Sequence, residues 1–300
     1  SVATALAGIP RAEAKLSAKD FKTELKPIWC PGCGDFGVLA ALTKALSEVQ
    51  VAPENVAVLT GIGCAGRLPG YVSGYGFNAL HGRVLPLATG LKLTRPDLLV
   101  FAAGGDGDGL AIGAGHFPHA ARRNPDITYL MFDNQVYGLT KGQFSPTTPL
   151  GDVTTTTRFG SIEAPVNPAT LAMAYGASFV ARAFSGNVNH HAEMILEAFR
   201  HPGFAFIQSI PPCVTFRGNE QFKTIRERAR WLNTDGNDHD TSDWGSAWEI
   251  ASQTDIYDMS FGIIWRQERP TYEERLGFLR EKAGKRGPAE MDSVLDQFRP

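Results

Sequence analysis

Between residues 56 and 210 the chain returns again and again to short runs that are almost wholly apolar. VAVLT at 56–60, LLVFAA at 98–103, ITYLMF at 127–132, SFVARA at 178–183 and FAFIQSI at 204–210 are such runs. A strand with one wet face alternates apolar and polar residues, whereas a continuously apolar strand is covered on both faces. The stretches between them carry a helical period. Asp35 is placed to cap a helix, and Val38, Leu39, Leu42, Ala45, Leu46 and Val49 then recur at helical spacing. Leu110 to Arg123 reads as a helix packed through small residues, with Pro118 expected to kink it. Pro168 to Gly176 opens a helix with proline at an early position, and Val188 to Arg200 adds another. Strands and helices in alternation predict an α/β fold with a doubly wound, mostly parallel sheet.

That alternation defines a domain over residues 27–213, between an N-terminal extension (1–26) and a C-terminal extension (214–300). The first nine residues are mildly apolar and a charged stretch follows them, the reverse of a secretory signal, so the expected compartment is the cytoplasm. Residues 139–167, rich in Thr, Pro and Gly, break the alternation and read as a long functional loop. Beyond 213, FKTIRERARWL predicts an amphipathic helix and NTDGNDHDTSD a polar linker, and IYDMSFGIIW reads as a packing surface for contacts between subunits. With 43% hydrophobic and 20% charged residues the chain is not a disordered one. A balance of 29 basic against 31 acidic residues points to no nucleic acid, and the apolar runs are too short to span a membrane.

Ligands of a doubly wound sheet bind beyond the carboxyl ends of its strands. There the sequence places GIGCAGR, GGDGDG, DNQVYG and PPC. Asp106 and Asn134 are separated by one helix and one strand, so a right-handed crossover brings them together. They then offer oxygens to one hard cation, most simply magnesium, while the flanking glycines let backbone approach a phosphate. The plainer alternative is a glycine-rich turn whose aspartate caps a helix. All 4 cysteines fall on the same edge: Cys30 and Cys33 in CPGC, then Cys64 and Cys213. Four thiolates suit a tetrahedral zinc or an iron–sulfur cluster, and one CxxC with two distant singles fits the cluster better. Taken alone, CPGC fits a redox dithiol, a metal knuckle or an inert pair equally well.

The GDG…Asn pattern resembles the metal–diphosphate signature of the thiamine diphosphate-binding fold. WCPGCGDFG, GIGCAGR, HGR at 81–83, GDGDG, DNQVYGLTKGQ and SPTT follow in order from Trp29 to Cys213. Together they resemble the β subunit of two-subunit 2-oxoacid:ferredoxin oxidoreductases. The resemblance implies thiamine diphosphate contacts from Ile62, Gly63, Cys64, Ala65, His81, Gly105, Gly107, Asp108 and Gly138. It implies magnesium held by Asp106, Asn134 and the carbonyl of Val136, and a 4Fe-4S cluster on Cys30, Cys33, Cys64 and Cys213. Asp133 stands where the family usually has a second asparagine.

The implied activity is oxidative decarboxylation of a 2-oxoacid with coenzyme A, with electrons leaving through the cluster to ferredoxin. Thiamine enzymes need a glutamate on a second, pyrimidine-binding domain. This chain has no room for one, so an α subunit is expected to complete the site, in an α2β2 assembly. Arg67 is expected to bind the far carboxylate of 2-oxoglutarate, giving succinyl-CoA, and Lys141 the phosphates of coenzyme A. The plain readings are a surface arginine and a solvated lysine, and for His81 a satisfied structural histidine. His116 and His119 read as packing residues, and His190 and His191 as surface. The rival functions are the same reaction on pyruvate or another 2-oxoacid, a non-oxidative thiamine diphosphate decarboxylase subunit with structural zinc, and an electron-transfer or scaffold subunit whose GDG loop binds no cofactor.

Overall fold

The apolar runs become strands because every one of their positions is covered. In the computed structural model, which describes residues 5–232, 239–284 and 290–299, the elements run in the following order. Helix α1 (Asp35–Val49) leads into β1 (Val56–Thr60) and β2 (Tyr75–Asn78), then α2 (Val84–Thr94) and β3 (Leu99–Gly105). Helix α3 (Phe117–Arg123), β4 (Thr128–Phe132), α4 (Pro168–Ala174), β5 (Phe179–Phe184), α5 (Val188–Arg200) and β6 (Ala205–Ile210) follow. The C-terminal segment holds α6 (Val214–Arg217), α7 (Glu220–Arg228), β7 (Arg230–Trp231), α8 (Trp244–Ala251), β8 (Ser260–Arg266), α9 (Tyr272–Gly284) and α10 (Met291–Asp296).

One sheet takes all the strands in the order β2-β1-β3-β4-β6-β5-β8-β7. Strands β1 to β6 pair in parallel, and β8 adds antiparallel to β5, so the sheet is α/β and mostly parallel. Alternate side chains build two cores. Val56, Val58, Phe101, Leu130 and Ile207 meet α1 and α5 on one face. Ala57, Leu59, Val100, Tyr129 and Met131 meet α2, α3, α4 and α8 on the other. From β1 the chain runs outward to β2, while β3 lies on the inner side of β1. The loops leaving β1 and β3 therefore diverge, which opens a crevice at their carboxyl ends. Among the described residues no helix is long and apolar enough to cross a membrane.

Several local expectations are corrected. Asp35 does not cap α1: Gly34 occupies the cap position, and the Asp35 carboxyl turns inward, with neither oxygen hydrogen-bonded. The helix expected from Leu110 to Arg123 is broken. A π-turn covers Asp108–Ile112, α3 begins only at Phe117, and Pro118 sits in its first turn, where a missing N–H costs nothing, rather than at a kink. Asn167 starts α4, its Oδ1 accepting from Ala169 N and Thr170 N. His190 and His191 are not surface residues. α5 packs this side toward α1 and β7, so His191 is fully buried and His190 lies edge-on to Trp231 at 4.7 Å. The helix expected from FKTIRERARWL stops at Arg228, and Arg230 and Trp231 pair with β8 instead. Of the polar linker expected over 233–243, residues 233–238 lie outside the described residues.

Candidate active site

The crevice is a cavity of about 630 Å³ beyond β1, β3 and β4, a size that suits a cofactor. The cofactor contacts expected from the sequence, from Ile62 to Gly138, all line it, and so do Asp106, Asn134 and Val136. Asp106 follows β3 and is 2% exposed. Ser145 Oγ and Thr147 Oγ1 both hydrogen-bond its Oδ2, Thr147 at 2.7 Å. Burial, reinforced by the nearby Asp133 carboxylate, pushes Asp106 up to about 7. Asn134 Oδ1 accepts from Val136 N at 3.2 Å across a turn that Gln135 closes at φ 61°.

Asp108 joins two loops. Its Oδ1 accepts from Ile62 N (2.9 Å), Gly82 N (2.8 Å) and His81 Nδ1 (2.8 Å). GIGC and HGR, distant in sequence, thus hang on one oxygen. Gly61 lets this happen, since a Cβ there would stand 1.9 Å from Asp108 Oδ2. Gly107 has a similar reason: its Cβ would fall 2.3 Å from the Tyr137 ring, whose hydroxyl donates to Gly107 O at 3.0 Å. Sequence reasoning missed Tyr137, Ser145 and Thr147 as site residues. The DNQVYG and SPTT motifs that contain them were the available signal.

A second cavity, of about 240 Å³, is lined by Cys30, Cys33, Cys64 and Cys213. None of the four is in a disulfide. CPGC is held to the loop after β6 by Gly34 N donating to Pro212 O at 3.1 Å. Trp29 Nε1 donates to Cys64 O at 2.9 Å and brings the loop after β1 alongside. Cys30 is exposed and the other three are partly buried. Burial pushes the Cys64 thiol up to about 12 and raises Cys33 and Cys213 as well. Among the described residues no three His, Cys, Asp or Glu side chains converge as a single metal ion requires. All four cysteines line this one cavity. Cys64, Asn134, Gly138 and Leu139 line both cavities, so the two share a wall.

Arg67 and Lys141 line the cysteine cavity and not the cofactor cavity, and both are exposed. Arg67 also lines a third cavity of about 550 Å³, beside Lys26. His116 is half-buried beside α3 and His119 is exposed, so neither belongs to the site.

A mostly parallel sheet with a glycine-flanked carboxylate at its crevice is consistent with a thiamine diphosphate-binding fold. The family model for the C-terminal thiamine pyrophosphate-binding domain of thiamine pyrophosphate enzymes matches residues 61–209. The model for the C-terminal part of the pyruvate ferredoxin oxidoreductase β subunit matches residues 213–281. Subunit β of 2-oxoacid:ferredoxin oxidoreductase 2 from Aeropyrum pernix is 43% identical over 265 residues, 86% of each chain. The 2-oxoglutarate synthase subunit KorB of Methanocaldococcus jannaschii is 39% identical over 217 residues, 70% of this chain and 80% of that one. A solved 2-oxoglutarate:ferredoxin oxidoreductase from Magnetococcus marinus, with 2-oxoglutarate, coenzyme A and succinyl-CoA bound, superposes with a TM-score of 0.89 at 38% identity. That match covers 97% of this chain and 100% of the other. The chain belongs to the family of 2-oxoacid:ferredoxin oxidoreductase β subunits.

Proposed function

We propose that this β subunit acts on 2-oxoglutarate with coenzyme A, holding thiamine diphosphate and magnesium in the larger cavity and a 4Fe-4S cluster in the cysteine cavity. The observation that carries the reading is the shared wall of Cys64, Asn134, Gly138 and Leu139. The residues fit the groups. Asp106, buried and lining the larger cavity with Asn134 and Val136, fits a cation, which would sit on Asp106, Asn134 and Val136 O. Four thiols lining one cavity of about 240 Å³, from one CxxC and two distant single cysteines, suit a cluster better than zinc. Bound thiamine diphosphate supplies the electron sink for loss of carbon dioxide, and a cluster supplies single-electron transfer.

The protein's own part is to position and to exclude water. Asp108 fixes the loops that form the cavity wall, and Ser145 and Thr147 orient Asp106. Arg67 would form a bidentate pair with the distal carboxylate of the substrate, and Lys141 would attract the phosphates of coenzyme A. Both stand at the shared-wall side, exposed to whatever enters. An α subunit would cover the open face and bring the missing glutamate, with the segment from 214 onward contributing to α2β2 assembly. Ferredoxin would accept electrons near the exposed Cys30.

The test is anaerobic copurification with the native partners, followed by iron, sulfide and thiamine analysis and a 2-oxoacid panel. Iron and acid-labile sulfide in equal amounts are expected; zinc in their place would return the decision to the non-oxidative reading. Arg67→Ile should weaken turnover of 2-oxoglutarate far more than that of pyruvate. Equal losses on both substrates would remove Arg67 as the selector.

A further inference from the structure

Arg182, in the middle of β5, is fully buried. Its partners are all neutral. Nε donates to Gln208 Oε1 (2.9 Å), Nη1 to Ile250 O (2.8 Å), and Nη2 to Ala251 O (2.6 Å) and Gln253 O (3.0 Å). Burying a guanidinium without a direct carboxylate is costly, and an apolar side chain of similar volume would serve the core at least as well. The arrangement calls for a role beyond packing, and the hydrogen bonds show where it leads.

Gln208, on β6, passes the contact on: its Nε2 donates to Asp133 Oδ2 at 2.7 Å. Thr147 Oγ1 stands 2.7 Å from Asp133 Oδ1 and 2.7 Å from Asp106 Oδ2. A buried chain thus runs from the carboxyl end of α8, through Arg182, Gln208, Asp133 and Thr147, to Asp106. Its direction is dictated at the first link. Arginine only donates, so Gln208 must turn its oxygen toward Arg182 and its NH₂ toward Asp133. Without Arg182 the amide oxygen loses its donor, and Gln208 loses the anchor that holds its NH₂ on the Asp133 carboxylate.

We propose that Arg182 is a positioning residue for the metal-binding carboxylate: by polarising Gln208 it fixes Asp133 and Thr147, and through them the orientation of Asp106. The proposal rests on the reading above that Asp106 holds the magnesium ion. It also ties the backbone following α8, which lies within residues 213–281, to the floor of the cofactor cavity. Groups bonded directly to a metal ligand typically affect affinity for the metal by roughly 10–100-fold, and Arg182, further out along the chain, should act at the low end of that range.

The experiment uses the assembled enzyme with its α subunit, Mn²⁺ in place of magnesium and saturating thiamine diphosphate, with free Mn²⁺ read by electron paramagnetic resonance. Arg182→Met should raise the Mn²⁺ dissociation constant roughly tenfold, and kcat should recover at high metal. The visible absorption of the cysteine site should be unchanged. Gln208→Met, which leaves Arg182 its three carbonyls, should act in the same direction and carries the test if Arg182→Met does not assemble. A dissociation constant within about twofold of the parent, in either folded variant, overturns the proposal. Failure of both variants to assemble would also overturn it, since the chain would then serve folding alone. Asp106→Ala separates the two levels: unchanged Mn²⁺ affinity there would mean that the metal reading itself is wrong.

Discussion

Replacing Asp108 with alanine deletes a single oxygen, Oδ1, on which three donors converge. Two of them are backbone N–H groups, of Ile62 and Gly82, that meet a carboxylate 1% exposed at its side chain. A hydrogen bond to a charged acceptor contributes about 1.5–3 kcal/mol net, so losing these two costs about 3–6 kcal/mol. The His81 bond is left out of that figure because its ring is 36% exposed and water competes for it. A loss of this size is a large share of the roughly 5–15 kcal/mol that holds a typical domain together. The cost falls on one place, the junction between the GIGC and HGR loops, so cofactor binding should fail before the rest of the sheet unfolds. The assay is urea unfolding of the assembled enzyme, together with the rise in Tm caused by thiamine diphosphate and magnesium. Asp108→Ala should lower the midpoint sharply and abolish the rise. Asp108→Asn, which keeps an acceptor at Oδ1, should fall between it and the parent. An unchanged midpoint with an unchanged Tm rise in Asp108→Ala would refute the idea that this oxygen holds the two loops.

Gly34→Ala would place a Cβ 2.5 Å from the Pro211 carbonyl carbon, so the loop carrying Cys213 must move away from CPGC. Iron and sulfide content should drop while thiamine diphosphate still binds, and full iron content in the purified variant would contradict the reading. Burial pushes His191 down to about 3 and His190 down to about 4, from a reference of 6.5. Folded-state values below the unfolded one mean that their stabilisation is present above about pH 6.5 and is lost as pH falls toward 4. Urea midpoints should decline across that window, and His191→Leu should flatten the decline; an unaltered slope would argue against a buried neutral His191. Asp106, raised from 3.8 to about 7, works in the opposite sense: its folded-state protonation favours stability at low pH and is lost as pH rises toward 7. A cation on Asp106 must displace that proton, so magnesium affinity should climb with pH up to about 7 and then level off, as calorimetry would show.

The apolar runs read as buried strands emerge as β1 and β3 to β6, shifted by a residue or two, because burial on both faces leaves a signal in one short window. Elements without such a signal were missed. β2 is YGFN, exposed at each position, and α2 carries Pro86 and Gly90, which dilute its helical pattern. β8 read as a packing surface because nothing local says that a strand will join β5 antiparallel from the far end of the chain. Asp35 looks like a cap in any one-dimensional reading; only the packing around Cys33 turns its carboxyl inward. His190 and His191 were assigned outward by residue type, and the packing of α5 overruled that. Arg67 and Lys141 lie in motifs visible in the sequence, but which cavity they line is set by the fold, since a motif fixes the loop and not the direction of a long side chain.

Sequence alone determined which groups share an edge: strand ends follow from periodicity, and the loops after β1, β3, β4 and β6 carry Cys64, Cys213, the glycines and the carboxylates. Tertiary structure alone decided which of those groups touch. The chain from Arg182 to Asp106 draws on β5, β6 and the loops after β3 and β4, and its links depend on directions through space that no spacing along the chain encodes.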